Sequence, residues 1–234
     1  NLSLGRVVYE SFTKDPLCQA VERAWNAGIV VVVAAGNDGR NTSLGTNGYA
    51  TITSPANDPL VITVGAMKSM GTTSRADDLI ASYSSKGPTI IDHVVKPDLV
   101  APGNRTVALL ASKSLIATNS TTNRILYSYY QNTSSKSYSA DYYRLSGTSM
   151  AAAAVSGTAA LMLHKDWSLT PDTIKARLMK SSTKTFPMYS TAFDPATNKQ
   201  YSSQYDIFTI GAGYLDAWAA LNCTDYVPPG STAA

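Results

Sequence analysis

Charge is scarce in this sequence: 15% of its 234 residues are Asp, Glu, Lys or Arg, against about 25% in an average globular chain. The 19 Lys and Arg set against 16 Asp and Glu leave a net +3. No basic run tracks a phosphate backbone, so no nucleic-acid partner is expected. Long apolar stretches are missing as well. The longest, Ile29 to Ala35, falls far short of the ~20 residues that cross a bilayer, and no membrane partner is expected. Two cysteines, Cys18 and Cys223, are too few for a disulfide scaffold and lack metal-ligand spacing. They could form one bridge or stay as two separate buried thiols. Hydroxyl replaces charge: 27 Ser and 25 Thr fill 52 positions, which implies a hydroxyl-rich surface.

The order of elements points to an α/β fold. Asp15-Pro16 is an N-cap and first-turn pair, followed by Leu17, Val21, Ala24 and Trp25 at helical spacing until Gly28. Ile29 to Ala34 then reads as a parallel strand covered on both faces, because its β-branched run has no polar alternation. Leu60 to Ala66 is a second such strand, and shorter ones are expected around 79–83 and 98–100. Helix and buried strand in alternation predict part of a doubly wound, mostly parallel sheet with helices on both faces. Between the first two strands lies a long polar loop, 36–59, leaving the carboxyl edge where such sheets bind ligands. Residues 104–142 form a Ser-, Thr-, Asn- and Tyr-rich insertion in which 124–130 is expected to pair as a hairpin. A buried helix is predicted from Gly147 to Leu163, a capped one from Thr170, and a short one over 214–222. No repeat or linker divides the chain, so the whole of 1–234 is read as one domain.

Ser149 is the residue with the most chemical promise. It sits where a loop enters the 147–163 helix, its hydroxyl beside the unpaired N–H groups at the helix's positive end, a place able to hold an oxyanion. In isolation such a serine is more often only an N-cap. The Ala34-Ala35-Gly36-Asn37 segment, which ends the buried strand with a carboxamide, changes that reading.

Together these segments resemble the subtilisin-like serine peptidases. Asn1-Leu2-Ser3-Leu4-Gly5 is similar to the family's substrate-binding strand, and Ala34-Ala35-Gly36-Asn37 to its oxyanion segment. Ala101-Pro102-Gly103 matches the turn before the nucleophile, and Ser146-Gly147-Thr148-Ser149-Met150-Ala151 the nucleophile signature. Val155-Ser156-Gly157, Leu169-Thr170-Pro171 and Gly211 to Ala217 continue the likeness over most of the chain outside the insertion. The resemblance implies a secreted endopeptidase acting on polypeptide substrates. Ser149 would be the nucleophile, and the Asn37 amide and the Ser149 N–H the oxyanion donors. Ser3, Leu4 and Gly5 would pair with substrate backbone. Ala34, Ala35 and Gly36 would wall the side-chain pocket, with Gly48 as its floor. The resemblance implies no cofactor for catalysis. A structural calcium would lie on the Pro59 and Val61 carbonyls with the Asp98 carboxylate, although Asp98 as a turn cap explains that residue equally well.

A base for Ser149 is missing. His164 lies fifteen residues along the same helix, about 22 Å away at 1.5 Å per residue, and His93 falls in a polar loop where the family has no catalytic group. In the family the triad Asp and His precede the strand that 1–5 resembles. The chain is therefore expected to be the carboxyl-terminal half of a catalytic domain, close to inert alone and folding against the missing amino-terminal half as a second chain or a swapped copy. Ala153-Ala154 stands where the family usually has Pro-His. That departure keeps open a non-catalytic binding or scaffolding module; a complete hydrolase using His93 is a third reading. Six Asn-x-Ser/Thr sites, at Asn1, Asn41, Asn104, Asn119, Asn132 and Asn222, matter only in a host that glycosylates.

Overall fold

Asp15 opens the first helix, α1 (Pro16–Asn26), by accepting the Leu17 N–H at 2.9 Å. Val21 and Trp25 turn its apolar face into the core. The computed structural model that shows this describes every residue except Leu44, Ser112, Pro195 and Ala196. The chain then enters β1 (Val32–Ala34), which lies parallel to β2 (Ile62–Lys68) in the register Val33 to Thr63. On β2 also pairs β4 (Leu99–Pro102), parallel, with Val64 opposite Leu99. β3 (Leu79–Ile80) joins β2 antiparallel.

The expected mostly parallel sheet is thus corrected to a mixed one. Its three core strands are parallel, and β3 and both accessory sheets are antiparallel. The parallel strands are apolar on both faces, as such strands must be when nothing lies between them and the layers on either side. Ile29 and Val30, read as strand, stay outside the ladder. The Ile29 N–H closes α1 on Ala24 O, and its side chain is 58% exposed.

Across the sheet lies α3 (Thr148–Lys165), touching β1, β2 and β4. Ala151, Ala152, Val155, Ala159 and Met162 recur at helical spacing and are buried, whereas Leu161 is 54% exposed. The helix expected to be fully buried therefore hides one face. Its alanines bring it close enough that a Cβ on Gly103 would meet Ala66 Cβ at 2.8 Å and Ala151 Cβ at 3.1 Å. Close approach of helix to sheet sets the depth at which the first turn of α3 sits.

The segment between β4 and α3 forms its own sheet. β5 (Thr106–Leu109) and β6 (Arg124–Leu126) flank β7 (Tyr138–Leu145) in antiparallel pairing, with α2 (Leu115–Asn119) after β5. Residues 124–130 do not fold back on themselves. β6 pairs with β7, and Tyr127–Tyr129 is a short 3-10 turn. α4 (Pro171–Ser181) is capped by Thr170, whose Oγ1 accepts the Thr173 N–H at 3.2 Å. The hairpin of β8 (Tyr189–Asp194) and β9 (Lys199–Gln204), not anticipated from sequence, follows. α5 (Ile207–Ile210) and α6 (Ala217–Asn222) close the chain; Tyr214, read as helical, instead bridges Val100 and Thr183. Cys18 and Cys223 are separate thiols. The Cys18 thiol donates to Asn57 Oδ1 at 3.3 Å, and burial pushes it up to about 12, so it is unreactive at neutral pH.

Candidate active site

The carboxyl ends of β1 and β4 and the amino end of α3 meet at one place. Leu2 N–H donates to Val32 O at 2.8 Å and Ala34 N–H to Leu2 O at 3.1 Å, which fixes the amino-terminal segment along β1. Arg6 pairs both ways with Ser54, at 3.0 and 2.9 Å. Between these anchors Ser3, Leu4 and Gly5 are exposed, and their backbone groups have no backbone partner among the described residues. An open edge held at both ends is what an added substrate strand requires.

Asn37 follows the turn after β1. Its Oδ1 accepts the Thr148 N–H at 2.9 Å and lies 3.2 Å from Thr148 Oγ1. Because a backbone N–H only donates, this bond settles which end of the carboxamide is oxygen and leaves Nδ2 as a donor free of partners among the described residues. Thr148 is fully buried and also reaches the Gly36 N and O, each at 3.2 Å. It locks the end of β1 to the start of α3. A Cβ built on Gly147 would lie 3.6 Å from Asn37 Nδ2 and 3.7 Å from Ser149 N. Asn37 Oδ1 is also 3.6 Å from that point, so the Asn37 carboxamide and the Ser149 N both border the small volume that the absent side chain of Gly147 leaves free. The first turn of α3 carries no acidic residue and its last turn holds His164 and Lys165, so the helix dipole adds positive potential at Ser149.

A cavity of about 320 Å³ runs along this site, lined by Ser3, Leu4, Gly5, Ala34, Gly36 and Asn37, with Thr148 and Ser149 at its end. Ala35 lies beneath, with no exposed surface. Gly48 is not brought there: it is buried against Gly39, whose O a Cβ would meet at 2.0 Å. The lining residues that sequence reasoning missed are Asp38 and Thr53. Thr53 returns from the 36–59 loop to donate its N–H to Ala35 O at 3.1 Å. Its side chain accounts for two glycines, since a Cβ on Gly5 would come within 2.4 Å of Thr53 Oγ1 and one on Gly36 within 2.9 Å of Thr53 Cγ2. Gly36 moreover has φ +111, which only glycine adopts readily. No spacing rule across so long a loop reveals Thr53. The paired glycines were its only trace in the sequence.

Neither histidine lines the cavity. His93 is exposed in a loop, its N–H on Thr89 O, and His164 lies in the last turn of α3.

The oxygens expected to hold calcium do not fit a divalent cation. Lys175 Nζ donates to Pro59 O at 2.6 Å and to Leu60 O at 3.2 Å. Lys96 Nζ donates to Val61 O at 2.9 Å and to Asp98 Oδ2 at 2.7 Å, and Lys175 Nζ is 3.3 Å from Asp98 Oδ1. The Thr63 N–H also binds Asp98 Oδ2, at 2.6 Å. Two fully buried ammonium groups thus use the same donor atoms, and a dication would join them around a single carboxylate. Burial pulls Lys96 down to about 8 despite the opposing pull of Asp98. Among the described residues no group of His, Cys, Asp and Glu could hold a metal ion elsewhere.

A serine at a helix entrance, a carboxamide beside it and an open strand edge thus lie together on an α/β scaffold. The sequence matches the Subtilase family over residues 1–209, and the chain belongs to that family. It is 40% identical over 185 residues to serine protease AprX of Bacillus subtilis (strain 168), covering 78% of this chain and 37% of that protein. Subtilisin DY of Bacillus licheniformis is 33% identical over 183 residues, covering 78% of this chain and 48% of that protein. The chain thus spans less than half the length of these relatives. Among solved structures, the prenylagaramide maturation protease PagA superposes with a TM-score of 0.58 at 22% identity, covering 94% of this chain and 60% of that one. That likeness is one of fold.

Proposed function

We propose that residues 1–234 are the nucleophile-bearing part of a subtilisin-like serine endopeptidase, and that the triad Asp and His come from outside them. Ser149 Oγ attacks the scissile carbonyl, and the new oxyanion takes hydrogen bonds from Asn37 Nδ2 and Ser149 N. Collapse of the adduct expels the amine and leaves an acyl group on Ser149, which water then removes. Substrate backbone lies along Ser3 to Gly5, and its side chain before the cleaved bond enters the cavity against Ala34, Gly36 and Thr53. The observation that carries this reading is that the Asn37 carboxamide and the Ser149 N lie within 3.7 Å of one point beside Gly147.

The base is assigned elsewhere because neither His93 nor His164 reaches the cavity. A surface for the missing part is available. Leu4, Val7, Tyr9, Ile29, Ile90 and Ile91 are 40–74% exposed, and an apolar cleft of about 300 Å³ lies under Val7, Val8, Ile52 and Ile90. Covering them offers favourable burial. Residues 1–234 alone should then be nearly inert and poorly soluble, and a secreted location is part of the same reading.

A fluorophosphonate probe tests it. In the intact enzyme the probe should form a covalent adduct on Ser149, absent from Ser149→Ala and from residues 1–234 alone. A folded intact protein that takes no label would establish the alternative, a non-catalytic binding module. Loss of labelling in His93→Ala would instead make His93 the base.

A further inference from the structure

Residues 104–146 carry five cations, Arg105, Lys113, Arg124, Lys136 and Arg144, against one carboxylate, Asp141. That is more than the whole net charge of the chain. No ion pair or cation-π contact among the described residues involves any of them. Elsewhere Arg6, Arg40 and Arg75 each find a carboxylate, at 2.9, 2.8 and 3.3 Å. Two of these cations, Arg105 and Arg144, line one cavity. Register places Val107 opposite Arg144 and Leu109 opposite Tyr142, so Arg144 and Tyr142 share one face of the sheet with Val107. The other face is closed by α2, where the Tyr143 hydroxyl donates to Ile116 O and Ser120 O, at 3.1 and 2.9 Å.

The open face holds a cavity of about 400 Å³ lined by the two arginines, Arg105 and Arg144, by Val107 and Ile125, and by Tyr129, Tyr130 and Tyr142. Tyr130 packs edge-on against Tyr142 at 5.0 Å, while Tyr129 remains 70% exposed. This face is also fixed with respect to Ser149. The Gly147 N–H donates to Gly103 O at 2.8 Å and the Arg105 N–H to Ser146 Oγ at 2.9 Å. Both roots of the sheet therefore end at the nucleophile.

We propose that this face is a second recognition surface, which takes an acidic segment of the polypeptide being cut. Two guanidinium groups with no carboxylate partner among the described residues, set beside aliphatic and tyrosine side chains, complement Asp or Glu side chains interleaved with apolar ones. The site of cleavage adjoins it, so a substrate that enters the cavity at Ser149 carries its flanking residues past this sheet. The inference rests on the peptidase reading above.

The test uses the intact enzyme and three peptides with a common cleavable core: bare, flanked by Asp and Glu, or flanked by Ser and Asn, the flank placed on either side of the core. The acidic flank should raise kcat/KM about tenfold over the neutral one, as two solvent-facing ion pairs allow, and the gain should shrink with salt. Arg105→Ala/Arg144→Ala should erase the preference and leave the bare core unchanged. Arg105→Glu/Arg144→Glu should favour a Lys-rich flank. Equal rates for acidic and neutral flanks on both sides would overturn the proposal, as would a preference that survives the double substitution or a parallel loss with the bare core. Fluorescence anisotropy of the labelled peptides on Ser149→Ala protein separates the two readings. No cleavage but charge-dependent binding removes the peptidase reading and keeps the surface. Cleavage without charge-dependent binding removes only the surface. Tight heparin binding with no discrimination between peptides would replace this proposal with a polyanionic sugar site.

Discussion

The buried lysines Lys96 and Lys175 and the arginines of the 104–146 segment have opposite fates. Lys96 and Lys175 are 0–1% exposed and end on Asp98 and on carbonyls of the loop before β2. Arg105 and Arg144 border an open cleft, and neither has an ion pair among the described residues. Buried charge persists only when every donor is satisfied, so the first pair holds the structure together. Unsatisfied charge at a surface costs little and remains available for binding. The same difference separates Thr148, which spends its hydroxyl locking β1 to α3, from Ser149, whose Oγ has no hydrogen-bond partner among the described residues.

The comparison can be broken in several ways. Ser149→Ala in the intact enzyme should lower kcat by about 10⁴-fold or more, because a triad acts as a unit, with unchanged circular dichroism and melting. Asp98→Ala should have the next largest effect, a loss of about 3–5 kcal/mol by denaturant titration, since it strands two buried ammonium groups. A midpoint close to wild type would show that the Lys96–Asp98–Lys175 cluster does not hold the fold. Asn37→Ala should cost about 10²–10³-fold in kcat with little change in KM; that range was measured for such a donor in a subtilisin and is carried over here. An equal loss in KM would assign Asn37 to binding instead.

The smaller effects sharpen the contrast. Arg105→Ala/Arg144→Ala should shift stability by no more than about 0.5 kcal/mol, as surface changes do. Asp58 supplies a pH test. Burial pushes its carboxyl up to about 6 from an ordinary 3.8, and Oδ2 has no hydrogen-bond partner among the described residues. The folded state therefore holds more protons than the unfolded state between those values, and stability from this group falls as pH rises through that window. Asp58→Asn, which keeps an acceptor for the Leu60 N–H, should melt no lower than wild type at pH 7. Its advantage should shrink as the pH approaches 4. A variant less stable at pH 7 would contradict the assignment.

The parts legible in the sequence are those with strong local cause. Asp15 and Thr170 cap their helices as expected, and β2 and β4 lie within a few residues of the predicted strands. Ser149 and Asn37 stood out because a helix entrance and a strand end carry chemistry in their own few residues. The failures share a different cause. The β8–β9 hairpin and the pairing of β6 with β7 depend on partners that are distant or weakly patterned. Gly48 and Thr53 compete for one role across a loop whose path no local rule predicts. Lys96 and Lys175 lie 79 residues apart, and nothing in either neighbourhood announces that both seek the same carboxylate.

By itself the sequence determined the alternation of helix and buried strand, the position of Ser149 at a helix start and the glycines that keep space around it, because periodicity, capping and turn chemistry act over a few residues. Only the tertiary structure decided which oxygens go to Lys96 and Lys175, which threonine lines the cavity, and that Arg105 and Arg144 meet at one cavity. Those outcomes depend on which distant groups arrive within about 3 Å of one another, and hydrogen bonds and desolvation are settled at that range.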